Sequence, residues 1–483
     1  MSLAQAGIRG AYFTSLALGF RQLVSLLTTI YVARQLLPSD LGLFAMVMIV
    51  IGFAQVIGDV GIAAGLVRGQ KNDSVLLSTC FWVCMGIGVT LSTAVYWCAP
   101  LAAVYYEKSG VQPLLQVSAI GLLFSFLAPV PMALLQQRLA YKEIALSQAL
   151  SSLAGALVAA VLVYAGYGIW GLVFQPMVGN LLSFCAMAYF AKWLPTLEFN
   201  FSKAKDIIQN GFYLLGAGLT NYFRNNFDTL VIGRALAARD LGLYSMAQTI
   251  LYAPMHLITS TVNRVTFPLF AKIQEDLEKI KTGVLTVTSR TALLIYPLYF
   301  GLIVVAEEFV LQVFGTEWMN MVFLIRVMAI SFLIQSTGGI AGALMLAMGK
   351  TRAMLFFSIG GSLLYFAVLL VMIPHGLTAV AVGYAATNAS LGLTFVGIAL
   401  HYAKIPIFEY LQSFFRPLLL TIAMCSVVLA VKWLYVDQTK LQFATLVASG
   451  AVTYALLVFV FEKTAWRQVR DALLKKAKDS NAA

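Results

Sequence analysis

The sequence predicts an all-α polytopic membrane protein of about 14 transmembrane helices: two six-helix lobes in a parallel repeat, plus two C-terminal helices. Three observations carry that expectation. Of 483 residues, 60% are hydrophobic and only 11% charged, and the mean hydropathy is +0.86, whereas a soluble domain carries roughly 25% charged residues. The apolar character runs along the whole chain and is cut by polar or Gly/Pro breaks into segments near the twenty residues that a span requires. A sequence motif also recurs at an offset of 200 residues. This profile excludes soluble enzymes, nucleic-acid-binding proteins and secreted disulfide scaffolds. In a membrane protein the net charge of +12 belongs to basic cytoplasmic loops rather than to a nucleic-acid site.

Taken in order, the expected spans are 10–33, 40–64, 75–99, 112–136, 142–165, 169–192, 208–233, 241–270, 284–306, 319–347, 352–373, 377–402, 412–434 and 441–461. Arg9 precedes an apolar run too long for a cleavable leader, so the first span reads as an uncleaved signal anchor. With the N-terminus inside, 21 of the 32 Lys and Arg residues fall on the cytoplasmic side and six on the other, which places both termini in the cytoplasm. The longest connectors, 193–207 and 271–283, are short and bring Lys203, Lys205, Lys272, Lys279 and Lys281 to the cytoplasmic side. In the second, Ile273, Leu277, Ile280 and Val284 share a face, as in a helix lying on the membrane surface. Trp466, Val469, Leu473 and Ala477 repeat that design in a basic amphipathic tail.

The repeat pairs YVARQLLPSDLGLFAM at 31–46 with VIGRALAARDLGLYSM at 231–246, without a gap. Arg34 matches Arg234, Asp40 to Leu43 match Asp240 to Leu243, and Phe44 aligns with Tyr244. Six spans separate the copies, and an even number gives both the same orientation. The expected organisation is therefore an N-lobe at 1–198, a C-lobe at 199–403, and at 404–483 the last two spans with the tail.

Arginines inside spans carry the chemistry: Arg21, Arg224, Arg264, Arg290 and Arg326. Each costs roughly 2.5–3.5 kcal/mol at a helix centre, and the acids expected within spans are Asp59 and Asp228. The excess of cations points to a hydrated, positive internal cavity; snorkelling to headgroups is the alternative for Arg264 and Arg290. Asn221, Arg224, Asn225 and Asp228 follow i, i+3, i+4, i+7 and form one stripe. At the same offset of 200, the first span carries Arg21, Ser25 and Thr28. His256, Thr259, Ser260 and Asn263 form another polar face, and for such Ser, Thr and Asn positions helix-to-helix contacts compete with a cavity lining. Asp59, expected to be buried, could carry a coupling proton or neutralise Arg21; Asp228 is the other candidate for coupling or charge pairing.

Catalytic and metal constellations are not expected. Cys80, Cys84, Cys98, Cys185 and Cys425 read as core residues without metal spacing. Gly349-Lys350-Thr351 lacks the upstream glycine of a phosphate loop, since position 344 is Leu. Glu307 and Glu308 read as solvated carboxylates closing the ninth span, and Gly61-x-x-x-Gly65 and Gly338-x-x-x-Gly342 as close helix contacts.

Several segments resemble the multidrug/oligosaccharidyl-lipid/polysaccharide exporter superfamily, in particular Wzx-like polysaccharide flippases of the colanic acid exporter branch. They are RQLLPSDLGLF at 34–44, GDVGI at 58–62, LLQQRLAYK at 134–142, DTLVIGRAL at 228–236, LGLYSMA at 241–247 and FPLF at 267–270. The resemblance covers most of the chain through about residue 403. It implies two lobes that open alternately to either face and carry an undecaprenyl-diphosphate-linked oligosaccharide across the bacterial inner membrane, without a cofactor. It leaves room for other polysaccharide-assembly proteins as partners. Many Wzx-like proteins have twelve spans, while lipid II flippases of the superfamily use extra helices for the lipid tail. An anionic diphosphate agrees with arginine chemistry. A cation-coupled drug exporter of the same superfamily would call for an acidic cavity, and a polysaccharide polymerase or ligase for a large outer loop.

Cysteines introduced singly at the two ends of 193–207 should both react with an impermeant reagent only after the cytoplasmic side is exposed. Labelling of either from the periplasm would overturn the orientation.

Overall fold

The computed structural model describes residues 3–69, 73–273, 276–434 and 440–461, and among these no strand occurs. The helices run α1 (Leu3–Gln35), α2 (Pro38–Gly58), α3 (Ile62–Gly69), α4 (Ser74–Tyr106), α5 (Val111–Ser125), α6 (Pro129–Gln137), α7 (Tyr141–Tyr164), α8 (Trp170–Ala191) and α9 (Phe201–Ala235). They continue as α10 (Ala238–Lys272), α11 (Leu277–Val313), α12 (Met321–Ala347), α13 (Thr351–Met372), α14 (Leu377–Ala403), α15 (Ile407–Leu434) and α16 (Lys440–Phe461). Every expected span is occupied by helix. Eleven segments among the described residues are long and apolar enough to cross a membrane, against the fourteen expected. The other three long helices are α1, α9 and α10, which carry the polar stripes.

Two spans are broken for visible reasons. Between α2 and α3, Gly61 turns with φ of 62° and its N–H donates to Asp59 Oδ1 at 3.2 Å. Between α5 and α6, Pro129 opens the second helix at a position where its missing N–H costs nothing.

The chain packs into two compact units: Met1–Met246 with Leu369–Leu377, and Ala247–Val368 with Thr378–Ala483. In the first, Cys80 and Cys84 of α4 pack in an apolar core with Leu66 and Leu134, and α9 lies along α2, α3 and α4. In the second, Phe270, Ile280, Val284 and Leu344 share a core, while α11 packs on α12, α15 and α16.

The sequence repeat is a structural repeat in miniature. α1 turns into α2 at Leu36–Leu37, and α9 turns into α10 at Leu236–Ala237, with matching hydrogen bonds: Leu36 N–H to Val32 O and Leu236 N–H to Ile232 O, Asp40 N–H to Leu37 O and Asp240 N–H to Ala237 O. The copies meet reciprocally. A Cβ at Gly42 would collide with the carbonyl of Ala238, and one at Gly242 with the carbonyl of Pro38. Only glycine permits this approach of main chain to main chain.

Several expectations are corrected. Among the described residues no surface helix precedes the ninth span: Asp276 caps α11 by accepting from Lys279 N–H at 3.1 Å, and the helix runs unbroken, with Ile280 and Val284 buried in protein. Their apolar face is thus satisfied by the core instead of lipid. Glu308 is not solvated, since its side chain is only 8% exposed and pairs with Lys432 of α15 at 2.6 Å. Its Oε2 is buried without a hydrogen-bond partner. Asp59 is exposed at the break, and Cys98 and Cys185 are exposed rather than core. Gly338 has nothing within 4 Å of a Cβ, so it marks no close contact, whereas Gly65 packs on Ile207. The amphipathic tail lies outside the described residues.

Gly42→Ala and Gly242→Ala should each destabilise by more than the ~1–3 kcal/mol of ordinary overpacking, because the obstructing atoms are main chain. Gly86→Ala, which meets nothing within 4 Å, should be neutral or mildly stabilising. Thermal unfolding in detergent checks this, and a tolerated Gly42→Ala would sink the reading.

Candidate functional site

A membrane-length helix that carries polar residues must spend them on neighbours or on water. On α9 they lie on two adjacent faces. One face packs on α2: the Tyr222 hydroxyl donates to Ile49 O at 2.6 Å, and Phe53 meets Phe223 edge-on at 5.5 Å. The next face holds Asn221, Arg224 and Asn225, all exposed, with Asn225 Nδ2 donating to Asn221 Oδ1 at 3.4 Å.

Asp228, the last residue of that stripe, is 3% exposed. The Tyr244 hydroxyl of α10 donates to Oδ2 at 2.7 Å, and Thr229 donates to Oδ1 from its N–H at 2.7 Å and from its hydroxyl at 3.2 Å. A buried carboxylate is tolerated only with such donors. Asp228 therefore fastens α9 to α10. On α1, Arg21 and Ser25 are exposed, while the buried Thr28 returns its hydroxyl to Val24 O at 2.7 Å. Arg21 and Asp59 form no ion pair with each other among the described residues.

The other expected arginines divide. Arg290 is half-buried on α11, between the buried Thr288 and Thr291. Arg326 of α12 has structural partners: its Nε donates to Ile303 O at 3.3 Å and its guanidinium lies 3.8 Å from Glu307. Ile303 and Arg290 are thirteen residues apart on α11, about 20 Å along the axis, so these two cations are not brought together. Arg264 lies on α10, and its side chain is outside the described residues. On the same helix His256 is exposed, and the Thr259 hydroxyl returns to Met255 O at 2.7 Å.

Sequence reasoning missed Tyr244 as the partner of Asp228. The signal was present in the repeat. Where the second copy has Asp228 and Tyr244, the first has Thr28 and Phe44, so acid and hydroxyl are gained together. It also missed the Glu308–Lys432 pair, whose members no motif connects. Gly349 and Lys350 lie in the turn between α12 and α13 and Thr351 opens α13, with Lys350 Nζ 5.0 Å from the Tyr402 ring centre.

Comparisons with known proteins follow the same lines. TuaB of Bacillus subtilis, a teichuronic acid biosynthesis protein, is 29% identical over 434 residues, 88% of this chain and 89% of that protein. WzxC of Escherichia coli, a lipopolysaccharide biosynthesis protein, is 25% identical over 371 residues, 76% of this chain and 75% of that protein. ExoT of Rhizobium meliloti, a succinoglycan biosynthesis transport protein, is 24% identical over 469 residues, 93% and 92% of the respective chains. Among solved structures, the lipid II flippase MurJ in an inward closed conformation matches with a TM-score of 0.76 at 15% identity, over 94% of this chain and 99% of that one. An inward-facing multidrug resistance MATE transporter of the MOP superfamily matches with a TM-score of 0.62 at 15% identity, over 80% and 94%. At these identities the structural likeness is one of fold. The polysaccharide biosynthesis protein family matches residues 31–323, more than half of the sequence, and the chain belongs to that family.

Proposed function

We propose that the protein is a flippase that carries an undecaprenyl-diphosphate-linked oligosaccharide, the repeat unit of a surface polysaccharide, from the cytoplasmic to the periplasmic leaflet of the bacterial inner membrane by alternating access. One observation carries the reading: Arg21 and Arg224 stand exposed on polar stripes of membrane-length helices in a MurJ-like fold. Exposed guanidinium groups at membrane depth are costly facing lipid and well suited to the oxygens of a diphosphate. The names of the relatives, teichuronic acid, lipopolysaccharide and succinoglycan biosynthesis, support a glycan cargo.

The two six-helix lobes, 1–198 and 199–403, would be the moving bodies, with both termini in the cytoplasm. Asn221 and Asn225 extend the binding stripe. Transport needs only that the two conformations differ in affinity for the anion, so no residue has to act as a catalyst. Arg290 and Arg264 are further candidates for headgroup contact. The MATE likeness makes a cation-coupled drug exporter the competing reading. Against it, Asp228 is buried and occupied by hydroxyl and amide donors, while the charges exposed on the two stripes are cationic.

Deletion in the native host, followed by mass analysis of lipid-linked oligosaccharides, should reveal accumulated intermediates on the cytoplasmic side. Unchanged intermediates together with raised sensitivity to cationic drugs would favour the exporter.

Arg21→Ala and Arg224→Ala should each lower polysaccharide export at least tenfold at normal membrane abundance, since a charge-assisted phosphate contact is worth about 1.5–3 kcal/mol. Arg224→Lys should retain part of the activity. Arg326→Ala should instead lower thermal stability and spare export in the fraction that folds. Normal export from both stripe variants would refute their role.

A further inference from the structure

Residues 192–200 join α8 to α9, and their main chain is held firmly to α4. Thr196 N–H donates to Ser78 Oγ at 3.0 Å and Trp82 Nε1 donates to Thr196 O at 2.7 Å. Asn200 N–H donates to Thr79 Oγ1 at 2.9 Å. The Trp193 ring meets Phe81 edge-on at 5.8 Å. At the start, Arg138 Nη1 closes the C-terminus of α8 by donating to Ala191 O at 2.8 Å. At the far end, Lys203 pairs with Asp73. Lys203 and the Val75 N–H hold the Asp73 carboxyl below its usual range. Their contribution to stability is therefore complete above the ordinary carboxylate pKa and fades as pH falls through the lowered value.

This strap is fixed by its polar atoms and turns large apolar side chains outward. Leu194 is 73% exposed and Leu197 90%, with Phe199 and Phe201 more than half exposed. With the main chain pinned, they have no route back into the core. Isolated exposed leucines need no explanation, but four large apolar groups within eight residues on a rigid backbone do. The strap also continues a lipid-facing surface: α8 exposes Leu181, Leu182 and Tyr189 toward the end from which it leaves. The exposed Lys192 and Lys205 flank it, placed as long basic side chains are at the headgroup level, and the exposed Glu198 leaves the segment nearly balanced in charge.

We infer that this strap is a membrane-interface anchor: Leu194, Leu197, Phe199 and Phe201 insert among the headgroups and upper acyl chains of the leaflet that holds the ends of α8 and α9. Removing their apolar surface from water drives the insertion. The anchor fixes the depth at which the connector between the sixth and seventh spans rides. It rests on the helix ends and the pinned backbone, and does not depend on what the protein transports.

The test uses the full chain with its five cysteines replaced and one cysteine at Leu197→Cys or Phe199→Cys, labelled with a polarity-sensitive fluorophore. The variants are kept only if they elute as one species, then reconstituted in phosphatidylethanolamine–phosphatidylglycerol vesicles. At least twofold quenching by brominated acyl chains, with protection from iodide, is expected at both positions, and none by bromine at Ser109→Cys in the exposed turn after α4. Labels quenched by iodide and indifferent to brominated lipid would overturn the anchor. So would labels shielded in native membranes but open in pure vesicles, a result that would assign the surface to a protein partner.

Discussion

Two glycines set the spacing on which the first compact unit is built. At Gly42 and Gly242 the N-terminal turns of α2 and α10 approach until main chain meets main chain, each glycine opposite the carbonyl that begins the other's helix. The contact is reciprocal, as at a two-fold interface, where residue i touches j and j touches i. Around it the neighbouring elements take positions that a wider crossing would not allow. Gly233, one helix earlier, has room only for hydrogen against the Tyr106 ring, and Arg234 reaches Glu107 at 2.8 Å. The Asp228–Tyr244 bond then ties α9 to α10, the helix that carries Gly242.

Identical backbone does not mean identical chemistry. The two copies share turn, hydrogen bonds and glycine contact, yet the second holds a buried carboxylate and a phenol where the first holds Thr28 and Phe44. The acid is consumed inside the protein by donors of its own unit. What the stripes leave facing outward is Arg21 and Ser25 on α1, and Asn221, Arg224 and Asn225 on α9. The asymmetry separates a structural carboxylate from exposed cations along a single helical stripe, only four residues apart at Arg224 and Asp228.

Hydropathy and the repeat made most of the helical architecture legible, because span length and turn chemistry are local properties. The helix–turn–helix at 31–46 and its partner at 231–246 could be placed to within three residues. What eluded the sequence was the choice among environments that reward the same residues. Ile280 and Val284 would suit a bilayer surface as well as they suit the core they occupy. Glu308 reads as a surface acid until Lys432, more than a hundred residues later, is seen beside it. Of the candidate site, the stripes were legible by periodicity and Arg224 and Arg21 by their rarity in apolar segments. That Arg326 is held by Glu307 and a carbonyl was not, since pairing across helices depends on packing that no spacing encodes.

The glycine contact also has a consequence in time. Its partners are 200 residues apart in the chain, and at synthesis rates of about 5–20 residues per second the second arrives roughly 10–40 s after the first. Through that interval α1 to α8 stand in the bilayer with the face around Gly42 uncovered and the surface that α9 will occupy on α2 and α4 unfilled. The last stretch of the unit, Leu369–Leu377, comes later still. The nascent spans must therefore persist as a loosely closed set, held by neighbours already made, and the first unit reaches its final packing only when three-quarters of the polypeptide has emerged.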